Sequence, residues 1–205
     1  MNIIFDLDGT LLNSKNRLYA LFNTLCPVSN LTFDEYWLLK HQGVSNQEIL
    51  SHQFSYSETE VIEFTIKWMR LIESNYFLDM DYLFHNAKRL LCTLSQKHKL
   101  FLCTARQNEQ FVIEQLKKFE ILHLFEKVLV TQRKKSKTEL VKESGVIINN
   151  QDWFVGDTGE DIKVGKALEL RTCAVTYGFL SKDTLMKYNP DIILDSISEL
   201  LLYFK

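Results

Sequence analysis

Two rhythms of hydrophobic and polar positions divide this chain. The segment Asn2 to Phe5 is a short apolar run of the kind seen in a strand buried on both faces, and it stops at Asp6. From residue 14 to about residue 80, apolar positions recur at helical spacing instead. Thr32-x-x-Glu35, Ser45-x-x-Glu48 and Ser57-x-x-Glu60 each have the form of a capping box opening such a run. The stripes they open include Tyr36, Trp37, Ile49, Leu50, Val61, Phe64 and Trp68. They predict an all-helical module with a small core of its own.

Beyond residue 80, helix and strand alternate. Helices are predicted over about residues 82–97, 108–119 and 160–168, with another opened by Ser136-x-x-Glu139 and a last one from Ser196. Strands are predicted at residues 100–104, 127–131, 153–155, 172–176 and 192–194. Such alternation argues for a parallel sheet with helices on both faces. The expected architecture is therefore an α/β core of residues 1–13 and 81–205, with the helical module of residues 14–80 inserted after the first strand. In sheets of this kind ligands bind at the C-terminal strand ends. Asp6, Asp8, Thr104, Gly156 and Asp157 all fall at such ends.

Composition narrows the class. A hydrophobic share of 46% with only two prolines argues against disorder. A net charge of -2 offers no bulk attraction to nucleic acid or to an anionic membrane. The run Arg133-Lys134-Lys135 reads as a solvated face. No apolar segment is long enough to span a bilayer, and acids stand where a signal peptide has basic residues. A soluble, cytoplasmic protein with no nucleic-acid or membrane partner is expected; its oligomeric state is not readable. Cys26, Cys92, Cys103 and Cys173 are dispersed, without a C-x-x-C pair, and are expected to be reduced. The histidines show no metal-binding spacing.

Asp6 and Asp8 change the picture most. Strand alternation sends residues i and i+2 to the same side, so both carboxylates are expected to point to one place. Two such acids repel, and a structure gains little from them unless a cation or an anion-transfer reaction uses the site. The plainer reading is an Asp8-Gly9 turn. Three later pieces weigh against it: Leu102-Cys103-Thr104-Ala105-Arg106, a lysine within residues 134–139, and Gly156-Asp157-Thr158-Gly159-Glu160-Asp161.

Together these pieces resemble the haloacid dehalogenase superfamily, specifically its magnesium-dependent phosphatases with a helical cap inserted after the first strand. The resemblance covers essentially the whole chain and implies a Rossmann-like core. It implies hydrolysis of a small phosphorylated metabolite through an aspartyl-phosphate, with a phosphoglycolate-like substrate as one guess. Asp6 would be the nucleophile, and Asp8 would protonate the leaving group and then deprotonate water. Mg2+ would be held by Asp6, Asp157 and Asp161 and by the backbone carbonyl of Asp8. Thr104, Ala105 and a lysine would bind phosphate. That lysine is Lys134, Lys135 or Lys137; Lys137 is favoured because Ser136 looks like the helix N-cap.

Two features depart from the family pattern. No proline follows the lysine, and Ala105-Arg106 stands after Thr104 where many relatives carry asparagine; Arg106 is read either as a phosphate ligand or as an exposed residue. A sugar-phosphate mutase similar to β-phosphoglucomutase would use the same acids, and a non-catalytic binding module is a third reading. Dehalogenation has no need of Asp8 or magnesium. In the insert, Arg17, Lys40, His41, Gln42, Ser45 and Asn46 are polar candidates for substrate contact, each read first as an ordinary surface residue.

Overall fold

In the computed structural model, which describes residues 1–204, the N-terminal apolar run forms β1 (Asn2–Phe5) in the middle of a six-stranded sheet. A short strand β2 (Leu12–Asn13) follows, and then five helices: α1 (Lys15–Leu25), α2 (Phe33–His41), α3 (Asn46–Phe54), α4 (Glu58–Leu71) and α5 (Asn75–Leu78). The chain returns through β3 (Tyr82–Leu83), antiparallel to β2. It then alternates through α6 (Ala87–Leu94), β4 (Lys99–Thr104), α7 (Glu109–Lys118), β5 (Lys127–Val130), α8 (Lys137–Glu143) and β6 (Trp153–Gly156). The last elements are α9 (Gly159–Ala167), β7 (Arg171–Val175), α10 (Lys182–Met186), β8 (Ile192–Leu194) and α11 (Ile197–Tyr203).

The strand order is β5-β4-β1-β6-β7-β8, with every neighbouring pair parallel. The chain leaves β1 for β4 on one side and returns after β5 to β6 on the other. The crevice where the connections diverge therefore lies at the C-terminal ends of β1, β4 and β6, the place where open α/β sheets bind ligands. Alternation sorts the core: Ile3, Phe5, Leu100, Leu102 and Val155 pack with Leu90 and Leu91 of α6 and Leu200 of α11. Ile4, Phe101, Cys103 and Phe154 face Val141 of α8 and Val164 of α9.

The helices between β2 and β3 bury a separate cluster, including Phe22, Tyr36, Trp37, Ile49, Leu50 and Phe64. Each of the three capping boxes there forms both of its hydrogen bonds. The helix expected over residues 82–97 is shorter than its pattern suggested. Tyr82 and Leu83 pair with Asn13 and Leu12 instead, and Asn86, at φ 67°, turns the chain into α6. No sequence signal marked α10. All four cysteines are free, and among the described residues no helix is long and apolar enough to cross a membrane.

Candidate active site

Asp6 extends the pairing of β1, its N–H donating to the Val155 carbonyl at 2.9 Å. By strand parity it shares the face of Ile4, which α8 covers. Ser136 caps α8 through a reciprocal box with Glu139, and this places Lys137 in the first turn, above the strand ends. Lys137 Nζ donates to Asp6 Oδ1 at 2.6 Å and to Asp161 Oδ1 at 2.7 Å, all three side chains being buried. Lys134 and Lys135 are exposed and turn elsewhere, to Gln132 at 2.9 Å and to Glu143.

Asp157 and Asp161 come from the β6–α9 junction. Asp161 serves twice: Oδ2 accepts from the Thr158 N–H at 3.1 Å, completing a cap on α9, while Oδ1 meets Lys137. Asp157 is fully buried; Oδ1 accepts from Thr10 Oγ1 at 3.1 Å and Oδ2 from the Phe179 N–H at 2.7 Å. Two glycines admit it. A Cβ on Gly9, where φ is 84°, would stand 2.1 Å from Asp157 Oδ2, and one on Gly178 would stand 2.3 Å from the same carboxylate. Gly9 was visible in the sequence motif; Gly178 carried no signal there.

One carboxylate oxygen each from Asp6, Asp157 and Asp161 lies within 4.8 Å of the others. Burial, with repulsion from Asp161, pushes the Asp6 carboxyl up to about 7 against the pull of Lys137. Burial and then the neighbouring Asp6 and Asp161 raise Asp157 well above the usual carboxylate range. Burial by itself would lower Lys137, but Asp161 and Asp6 override it and hold the ammonium well above its ordinary value. Three buried carboxylates thus face one ammonium. A shortage of positive charge among hard oxygen donors fits a divalent cation.

Asp8 is placed differently from expectation. The regular strand ends at Phe5, and residues 7–12 fold into a tight turn in which the Leu11 and Leu12 N–H groups both donate to the Leu7 carbonyl. Alternation therefore no longer governs Asp8, and its carboxylate does not join the Asp6 cluster. Ser14 Oγ and Arg17 Nη2 donate to its Oδ1, each at 2.5 Å, and Arg106 grips both oxygens, Nε to Oδ2 at 2.5 Å and Nη2 to Oδ1 at 2.7 Å. Burial would raise this carboxyl, but Arg106 and then Arg17 outweigh burial and hold it far below the usual range.

Thr104 is buried at the end of β4, where its Oγ1 accepts from the Arg106 N–H at 3.4 Å; Ala105 beside it is exposed. Arg106 is not the exposed residue of one sequence reading: it is 5% exposed and grips Asp8. Arg17, read first as a surface residue, is 2% exposed. Its signal was available: it stands four residues before Leu21, on the buried stripe of α1. Gln115, three residues after Val112 on the buried stripe of α7, offered the same signal, and Asp81, which joins the same cluster, had none.

Other insert candidates serve the insert's own structure. Lys40 Nζ donates to the Val44 carbonyl at 2.8 Å, Ser45 caps α3, and Asn46 accepts from the Tyr36 hydroxyl at 2.9 Å; Gln42 is exposed. His41 does more. Its Nδ1 lies 2.9 Å from the Phe179 carbonyl, and its own carbonyl accepts from Ser181 N–H and Thr184 Oγ1, each at 2.9 Å. Trp37 stacks on Phe179 with ring centroids 5.4 Å apart. Since the Phe179 N–H holds Asp157, these contacts seat the insert on the loop beside the acids.

Acids gathered at the ends of parallel strands, with a helical insert seated beside them, make an α/β protein with a site able to hold a metal ion. The chain belongs to the haloacid dehalogenase-like hydrolase family, whose model matches residues 3–175. It is 26% identical to a phosphoglycolate phosphatase of Aliivibrio fischeri, over 97% of this chain and 94% of that protein. It is 27% identical to a phosphoglycolate phosphatase of Haemophilus influenzae, over 96% and 95%. Among solved structures, a haloacid dehalogenase-like hydrolase from Streptococcus pneumoniae superposes with a TM-score of 0.77 at 22% identity, covering 100% of this chain and 98% of that one.

Proposed function

We propose that the protein is a phosphatase that hydrolyses a small phosphate monoester through an aspartyl-phosphate on Asp6, with magnesium as its cation. The observation that carries this reading is the cluster of Asp6, Asp157 and Asp161, with Lys137 paired to the first and the last. In the first step an Asp6 oxygen attacks phosphorus, the ester P–O bond breaks, and the alcohol leaves with the proton of the monoanionic ester, relayed through Asp8. In the second, water gives a proton to Asp8 and attacks the same phosphorus. The bond to Asp6 then breaks, Asp8 passes the water's proton to the departing inorganic phosphate, and the carboxylates of Asp6 and Asp8 are restored.

Asp6, Asp157, Asp161 and the Asp8 backbone carbonyl would hold the magnesium, which supplies screening of carboxylate from phosphate and polarisation of the transferred group. Lys137 keeps Asp6 oriented and offsets phosphate charge. Thr104 and the exposed Ala105 are assigned to the non-bridging phosphate oxygens, which move with phosphorus to Asp6. The insert, seated through Trp37 and His41, limits water around the reaction.

The relatives named as phosphoglycolate phosphatases make a two-carbon phosphate the first substrate to try. The cytoplasm is the proposed location, in keeping with four free cysteines. The test is phosphate release from an aryl phosphate and from a panel of phosphorylated metabolites with magnesium. Release by the unsubstituted protein but not by Asp6→Asn is expected. No turnover on any of them overturns the reading, and an isomerised sugar phosphate in place of free phosphate would mark a mutase.

A further inference from the structure

The carboxylate of Asp8 is held by residues from both sides of the β2–β3 neck. Arg17 reaches it from α1, inside the insert, and Arg106 from the loop after β4. Asp81, buried at the insert's return to β3, stands behind both arginines. Its Oδ1 is 3.0 Å from Arg17 Nε, and its Oδ2 accepts from Arg106 Nη2 at 3.1 Å and from Gln115 Nε2 at 3.0 Å. The end of α4 is tied to the same place. Arg17 Nη1 donates to the Ile72 carbonyl at 3.1 Å, and Glu73 accepts from the Gln107 and Asn108 N–H groups at 2.7 and 3.0 Å.

The two oxygens of Asp8 are not equivalent. Oδ1 takes three donors, from Ser14, Arg17 and Arg106, whereas Oδ2 takes one, Arg106 Nε. A carboxylate oxygen offers two lone-pair directions, so Oδ1 is saturated and Oδ2 keeps an open position. We infer that Asp81 and Arg17 are positioning residues for the reaction: Arg17 directly, and Asp81 through the two arginines, fix Asp8 so that Oδ2 is the oxygen that exchanges the proton with the leaving alcohol and with water. This rests on the phosphatase reading. It also ties the orientation of Asp8 to the insert, because the brace closes only while Arg17 and Asp81 are both in place.

Asp81 and Gln115 share Nη2 of Arg106 with Asp8, and Arg106 Nη1 has no hydrogen-bond partner among the described residues. Without the Asp81 charge, both guanidiniums have Asp8 as their remaining contact carboxylate, and the open side of Oδ2 becomes occupied. Proton transfer to the leaving oxygen then suffers, while binding of the phosphoryl group at Asp6 and Lys137 does not.

The experiment compares kcat/KM of the unsubstituted protein and Asp81→Asn, with magnesium, on dinitrophenyl phosphate and on an alkyl phosphate. The first leaves as a stable phenolate and needs no proton; the second does. The expected result is little change on dinitrophenyl phosphate and a loss of roughly 100-fold on the alkyl ester. Equal losses on both, or no loss on either, overturn the inference. Arg17→Lys, which keeps the charge but loses the fork, repeats the test if Asp81→Asn does not fold. Failure of the unsubstituted protein to hydrolyse either ester overturns the phosphatase reading and this inference with it.

Discussion

Two buried charge clusters sit side by side at the strand ends, and they differ in balance. Around Asp6, three carboxylates face the one ammonium of Lys137; around Asp8, the two carboxylates of Asp8 and Asp81 face the two guanidiniums of Arg17 and Arg106. Both are dry. Only the first is short of positive charge, and unneutralised carboxylates are costly to bury. The first is therefore built to receive a cation and an anionic substrate, whereas the second pairs its contacting charges one for one. Their origins differ too: the acids and lysine of the first come from the core alone, while the second draws Arg17 from the insert.

The sharpest way to break the comparison is to neutralise one acid in each cluster. Asp6→Asn is expected to lower phosphate release by about 10^4-fold or more, read in a steady-state assay, yet to leave the metal-free protein at least as stable as before, because it relieves repulsion. Asp81→Asn should do the opposite to stability, costing about 3 kcal/mol in urea unfolding by leaving a buried guanidinium in excess. Magnesium at a hundredfold excess over its dissociation constant should stabilise the unsubstituted protein by about 2.7 kcal/mol. Asp157→Asn should abolish most of that gain, read in urea unfolding with and without magnesium.

The pH dependence follows from Asp6, whose carboxyl is raised from 3.8 to about 7 in the folded state. The folded protein holds this proton more tightly than the unfolded chain. Its stabilising contribution is therefore full below the unfolded value and is lost as pH rises through about 7. Metal-free melts should fall across that window, and magnesium or Asp6→Asn should flatten the slope. The smallest effect is expected at the surface. Lys135→Ala breaks an exposed pair with Glu143 and should change stability by no more than about 0.5 kcal/mol, with activity retained.

What was legible in the sequence was what is local in the chain. The boxes at Thr32, Ser45, Ser57 and Ser136 formed because each cap meets its partner three residues away. Asp157 and Asp161 could be read as neighbours for the same reason, and the Ser136 box pointed to Lys137. The arginine brace was not legible, since Arg106 meets Asp8 and Asp81 only after the sheet and the insert have assembled. Nor was the β2–β3 pair, which needs two short segments from opposite ends of the insert. Asp8 misled the strand rule because its turn begins one residue after Asp6.

That narrow pair of strands has a consequence for exchanging parts between relatives. A foreign module grafted between Asn13 and Tyr82 would leave the six-stranded sheet untouched, since both joints lie outside it. It would also carry away Arg17 and Asp81, one ion of each sign, and strand Arg106 with Asp8 alone. A working chimaera would have to bring a matching cation and anion of its own at those two joints, whatever ligand preference the rest of the transplant conferred.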